Sequence, residues 1–210
     1  MLFSKEQFED GSILALWKME EDEETLLSYF DIRQDEYRQY ISKFPFKKRR
    51  QEFLTSRAML KVITGAESEI CHNEDGKPSI EGNSMKISIS HTSGYLAILL
   101  HSNAIVGIDI EQKRDKIFRV KNRFLSEDEL AHTNKQNEMD HLLLQWSAKE
   151  SMFKMMNQRD IDFQTDLHIE PFELQDSGIF YGYETKTDQK IRFELYYRIY
   201  EEFVMVWGRL

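Results

Sequence analysis

The chain has 210 residues, 40% hydrophobic and 31% charged, with a formal net charge of −9. This is the composition of one large or two small folded domains; it argues against a disordered chain and against a general nucleic-acid binder. Its apolar runs fall far short of a membrane span, and the start Met1-Leu2-Phe3-Ser4-Lys5-Glu6 lacks the pattern of a signal peptide. Cys71 is the only cysteine, which excludes an internal disulfide and a cysteine-type zinc site, and fits a cytoplasmic setting. The six histidines show no metal-ligand spacing.

Taken in chain order, Ile13 to Met19 reads as a strand, and the acidic segment Glu20 to Glu24 opens a helical region with Leu26, Leu27 and Phe30. A second helix is expected over Asp35 to Phe44, punctuated by Pro45. Lys47 to Thr64 reads as a longer helix with Phe53, Met59, Leu60 and Ile63 as apolar positions and Gly65 at its end. Asp75-Gly76-Lys77-Pro78 is a turn. Strands follow at Lys86 to Ser90, at Tyr95 to Leu100 and, after a turn at Ser102-Asn103, at Ala104 to Glu111. These three suggest a small antiparallel sheet in the middle of the chain.

Lys116 to Phe124 reads as a short helix, with Ile117, Val120 and Phe124 on one face. Ser126-Glu127-Asp128-Glu129 has the capping-box pattern. Glu138 to Met156 is a long helix, and strands close the chain at Leu167–Ile169, Ile179–Tyr183, Ile191–Tyr200 and Phe203–Trp207. The order strand, helices, strands occurs twice. The fold class is therefore α+β, in two similar interlocked halves with a pseudo-twofold relation, residues 1–103 and 104–210.

The strand Ala104-Ile105-Val106-Gly107-Ile108-Asp109-Ile110-Glu111 carries carboxylates at i and i+2, which point to one face. Two such charges repel unless a cation joins them or one is protonated. A third carboxylate, Glu150, shares a helix face with Leu143, Trp146 and Phe153, and Lys154 follows one turn later. Three carboxylates and a lysine suit a hard divalent cation and a phosphate-bearing substrate. The plainer alternatives are an i,i+4 surface pair for Glu150 and Lys154, and an edge strand with one solvated face for Asp109 and Glu111.

Six segments stand in a fixed order: Arg49-Arg50-Gln51-Glu52-Phe53-Leu54-Thr55-Ser56-Arg57, Gly76-Lys77-Pro78, Ile87-Ser88-Ile89-Ser90-His91-Thr92, Val106-Gly107-Ile108-Asp109-Ile110-Glu111, Phe124-Leu125-Ser126, and Trp146-Ser147-Ala148-Lys149-Glu150-Ser151-Met152-Phe153-Lys154. In this order the series resembles the 4′-phosphopantetheinyl transferases. The length is similar to that of their monomeric, surfactin-synthetase-type branch, which is built as an internal pseudo-dimer. The resemblance runs from about Arg49 to about Lys154; the ends of the chain carry no diagnostic motif.

The resemblance implies transfer of the phosphopantetheine arm of coenzyme A to a serine of an acyl or peptidyl carrier protein, with release of 3′,5′-ADP. It implies magnesium, or manganese, held by Asp109, Glu111 and Glu150. It further implies that Glu150 takes the serine proton, directly or through a metal-bound water, and that Lys154 offsets pyrophosphate charge. His91 and Arg57 would hold the 3′-phosphate, with Arg50 and Lys77 around the nucleotide. The basic residues Lys113, Arg114, Lys116, Arg119, Lys121 and Arg123 would dock an acidic carrier. Neither nucleic acid nor a membrane is an expected partner. The alternatives are a coenzyme A-binding relative without turnover and an unrelated magnesium-dependent nucleotide-processing enzyme. One departure concerns Met155 to Asp160, which has no glycine where relatives often carry one.

Overall fold

The computed structural model describes residues 1–158 and 160–210. The chain divides into two compact units, Met1–Asn103 and Ala104–Leu210. Both are α+β, and every paired strand among the described residues is antiparallel.

The first unit holds strands β1 (Leu2–Gln7) and β2 (Ile13–Lys18), helices α1 (Glu23–Leu27), α2 (Gln34–Ile41) and α3 (Lys47–Thr64), and strands β3 (Ile70–His72), β4 (Pro78–Ile80), β5 (Lys86–Thr92) and β6 (Tyr95–His101). A four-stranded sheet runs β1-β2-β6-β5, and β3 and β4 form a separate hairpin. The middle strands are apolar on both faces, so Ala15, Trp17, Leu96 and Ile98 meet Met59, Leu60 and Ile63 of α3 in one core. Asp22 caps α1, its carboxylate accepting from the Thr25 N–H at 2.8 Å. Gly65 ends α3 at φ 79, a left-handed residue whose N–H donates to the Lys61 carbonyl.

The second unit holds β7 (Val106–Gln112), helices α4 (Lys116–Val120), α5 (Glu127–Ala131) and α6 (Glu138–Met155), and strands β8 (Leu167–Ile169), β9 (Ser177–Glu184), β10 (Arg192–Ile199) and β11 (Phe203–Arg209). A 3-10 turn, Lys121–Arg123, continues α4. The sheet order is β7-β11-β10-β9-β8, so β7 lies beside the last strand of the chain. The expected sheet joining β5, β6 and β7 is therefore corrected: β7 pairs with β11, Asp109 opposite Val206 and Glu111 opposite Val204. Two further differences are β1 and the β3–β4 hairpin, both absent from the sequence expectation.

Helix α6 lies across β7 and β11, with Leu142, Leu143, Met152 and Met155 buried against Leu195, Val204 and Val206. Its close seat depends on Gly107. A Cβ there would stand 2.2 Å from the Ser151 carbonyl oxygen and 2.8 Å from Met155 Cγ. Of the glycine-free segment 155–160, Met155 closes α6, Met156 is extended, and Arg159 lies outside the described residues. Asp160 takes φ 58, in the left-handed region that glycine fills at least cost.

Candidate active site

The strand β7 alternates. Ile108 and Ile110 are buried on one face, while Gly107, Asp109 and Glu111 share the other. That second face lies under α6, through which Trp146, Glu150 and Lys154 recur every fourth residue. They span about 12 Å of helix, whereas Asp109 and Glu111 are about 7 Å apart along the strand. The side chains converge accordingly. Trp146 Nε1 donates to Glu111 Oε1 at 2.9 Å, and Lys154 Nζ donates to Asp109 Oδ1 at 2.9 Å and to the Ile108 carbonyl at 2.7 Å. Glu150 stands between these two rungs on the same helical stripe.

The electrostatics agree with that placement. Burial raises the Glu150 carboxyl to about 7; the charges of Asp109 and Glu111 push the same way and Lys154 pulls against them. Glu111 is also raised, by burial and then by Asp109, against the Trp146 hydrogen bond and the charges of Lys154 and Lys116. The lysine thus serves Asp109 across the helix–strand contact and is not merely the i,i+4 partner of Glu150. Among the described residues, no three His, Cys, Asp or Glu side chains are gathered closely enough to hold a metal ion as they stand. The donor set nevertheless has the chemistry for one. Buried carboxylates that repel one another are relieved by a divalent cation.

A second set of contacts fixes the helix. Lys149, fully buried, donates from Nζ to Glu129 Oε2 at 2.8 Å and to the carbonyls of Phe124 and Phe163 at 2.7 and 2.8 Å. All three ammonium protons find acceptors, as a charge at that depth requires. Glu129 completes the capping box with Ser126 and accepts the Ile169 N–H at 2.9 Å. One ion pair therefore ties α5, α6 and β8 together beside Glu150. The sequence reading gave roles to Glu150 and Lys154 and missed both Lys149 and the Trp146 indole.

In the first unit, a cavity of about 660 Å³ opens between α2, α3 and the β3–β4 hairpin. Its walls include Tyr37, Tyr40, Phe44, Phe53, Arg49, Arg57, Glu52, Glu69, Gly76, Pro78 and His91, and its size suits a nucleotide. Arg57, expected as an open fork for phosphate, is largely buried and committed. Its Nε donates to Glu69 Oε1 at 2.9 Å, its Nη2 also pairs with Glu69 and donates to the Ile70 carbonyl at 3.0 Å. The guanidinium lies 3.5 Å from the Phe53 ring centre. His91 is half exposed, with Nδ1 3.4 Å from Glu52 Oε1.

Arg50 turns away from the cavity, donating from Nε to Glu23 at 2.8 Å and from Nη1 to the Phe44 carbonyl at 2.8 Å; Arg49 takes the wall position instead. Lys77 stands between two wall residues and is not itself in the wall. The expected basic patch is also thinner than its sequence. Lys113 pairs with Asp140 at 2.9 Å and Lys121 with Glu138 at 2.7 Å, while Arg114, Lys116, Arg119 and Arg123 are exposed.

No curated protein matches the chain. A family model does match, over residues 105–206, just under half of the chain. The matched stretch contains β7, α6 and most of β11, and with them Asp109, Glu111, Glu150 and Lys154. Residues 105–206 match the model of the 4′-phosphopantetheinyl transferase superfamily.

Proposed function

We propose that the chain transfers the 4′-phosphopantetheine arm of coenzyme A to a serine hydroxyl of an acidic acyl or peptidyl carrier protein, as a monomer in the cytoplasm. Among the described residues no helix is long and apolar enough to cross a membrane. The observation that carries the reading is the facing of Glu150 and Lys154 with Asp109 and Glu111 inside the matched domain. Asp109, Glu111 and Glu150 would hold magnesium, which when bound supplies charge neutralisation to the coenzyme A pyrophosphate.

The protein's own groups do the rest. The serine oxygen forms a bond to the phosphorus next to the pantetheine arm, and the bond from that phosphorus to 3′,5′-ADP breaks. Glu150, placed between the Trp146 and Lys154 rungs, would receive the serine proton, directly or through a metal-bound water. Lys154 balances charge on the departing pyrophosphate oxygen. The cavity with His91 in its wall would take the nucleotide; Arg57 lends it charge from within the Glu69 pair.

The test is mass spectrometry of an apo carrier protein after incubation with coenzyme A, with magnesium or with chelator. A gain of one phosphopantetheine that requires the metal is the expected result. Binding of coenzyme A without that gain would select a non-catalytic relative. Turnover of coenzyme A without carrier would select a different nucleotide-processing enzyme.

A further inference from the structure

Lys149 is fully buried, and the chemistry proposed above gives it no part. It stands one residue before Glu150 on α6, and its ammonium meets the segment that runs from α4 into α5. Nζ donates at 2.7 Å to the Phe124 carbonyl, where the 3-10 turn after α4 ends, and at 2.8 Å to Glu129 of α5. Its third bond, also 2.8 Å, goes to the Phe163 carbonyl. Glu129 in turn accepts the N–H groups of Ser126 and Ile169 at 2.8 and 2.9 Å. The segment's other holds on α6 differ in kind. Ile117 and Phe124 sit in the apolar core, where attraction has no direction. The pairs Lys113–Asp140 and Lys121–Glu138 are partly exposed, so solvent weakens them. His141 holds Asn134, which lies beyond α5. At the junction of α4 with α5, the directed bonds to a buried charge come from Lys149, and they are satisfied together in one arrangement only.

That junction carries exposed basic side chains. Arg123 is the residue before Phe124, and Arg119 lies about one turn earlier. We propose that Lys149 is a positioning residue for carrier recognition: through the Phe124 carbonyl and Glu129 it sets where Arg119 and Arg123 stand relative to Glu150. The inference rests on the proposed transfer to a carrier protein. One rigid helix then does two things. It presents Glu150 and Lys154 to β7, and from the adjacent position it seats the strip that the carrier would touch. Stability by itself does not call for this pair. A buried ion pair is often no more stabilising than apolar groups of the same volume, although removing one partner is costly. The positioning effect of Lys149 can therefore be separated from its effect on stability.

The experiment compares the whole protein with Lys149→Met and with the double variant Lys149→Met, Glu129→Gln. Each is melted, and transfer is measured with carrier and coenzyme A varied in turn. Lys149→Met leaves Glu129 buried without its cation and should melt lower. The double variant removes that charge as well and should melt near wild type. In both, the carrier KM should rise on the order of tenfold, as a small misplacement far from the chemistry can produce. The kcat and the KM for coenzyme A should stay near wild type, because every bond of Lys149 lies within residues 104–210. A merely structural pair predicts that the carrier KM returns with the melting temperature in the double variant, and that result overturns the proposal. So does a native carrier KM in folded Lys149→Met, or an equal rise in both KM values. A wild type that modifies no carrier sinks the proposed function, and this inference with it. Where neither variant folds, hydrogen exchange in the wild type decides. The Leu125 N–H donates to the Lys121 carbonyl and the Ser126 N–H to Glu129. Amides there that open only when the whole molecule unfolds support the role; local opening while α6 stays protected overturns it.

Discussion

At the scale of single residues, burial and charge set opposite demands on the titratable groups. Glu150 binds its proton more tightly in the folded protein than in the unfolded chain, about 7 against 4.5. The folded state therefore holds more protons between those values, and stability falls as pH rises from 4.5 through 7. In chelator, Glu150→Gln should lose that part of the decline and melt higher than wild type at pH 7.5, while transferring no phosphopantetheine. Melts from pH 4.5 to 8, with the carrier mass assay alongside, check both; a variant with near-normal turnover would remove Glu150 from the chemistry. His141 runs the other way. It is 2% exposed, accepts the Asn134 N–H at Nδ1 and packs on Phe172, and burial lowers it to about 4. The unfolded chain takes up a proton below 6.5 that the folded chain refuses until about 4, so stability is lost as pH falls across that window. The loss is on the order of 3 kcal/mol. Comparing denaturant midpoints at pH 7 and 4.5 in wild type and His141→Gln measures it, and an equal acid sensitivity in the variant would count against this residue.

At the scale of elements, the contact of α6 with β7 is the structure that brings the site together, and Gly107 sets its distance. Gly107→Ala forces the helix off the strand, because the new methyl meets the Ser151 carbonyl oxygen, and backbone cannot yield there as the Met155 side chain can. A loss of about 3 kcal/mol is expected. Transfer should fall further than the melt alone explains, since the rungs from Trp146 and Lys154 lengthen together. Urea unfolding and single-turnover transfer on the folded fraction separate the two effects. The sequence made part of this legible. The alternation in Ile108-Asp109-Ile110-Glu111 marked a strand with converging acids, and helical spacing put Glu150 and Lys154 on one face. Pairing across long sequence distance was not legible. Nothing local says that β7 joins β11 rather than β6, or that Trp146 reaches 35 residues back to Glu111. Arg57 reads as a free phosphate ligand because Glu69, which claims it, lies in the loop beyond Gly65. The edge strand β1, with Ser4, Lys5 and Glu6 among its six residues, has too little apolar pattern to stand out.

At the scale of the whole molecule, charge is distributed against its mean. The net value is −9, and the basic stretch after β7 has lost Lys113 and Lys121 to Asp140 and Glu138. For the acidic carrier we propose, the exposed cations of that stretch are Arg114, Lys116, Arg119 and Arg123, on and around the short α4, with Phe118 36% exposed among them. Arg119→Glu with Arg123→Glu should raise the carrier KM on the order of tenfold at low salt and leave the KM for coenzyme A unchanged. Steady-state kinetics with each substrate varied in turn, plus a melt to confirm folding, test this; an unaltered carrier dependence would move the docking surface elsewhere. Replacing Lys113 or Lys121 should do less to capture, because each already spends its charge inside the protein. This division also bears on ionic strength. An acidic protein approaching the proposed acidic carrier would be repelled from afar and attracted only across the few ångströms where the arginines act. Dilute salt shortens the field to about 10 Å at 0.1 M, which weakens the distant repulsion before it reaches the near attraction. Capture should therefore quicken with the first additions of salt, pass through an optimum, and slow beyond it.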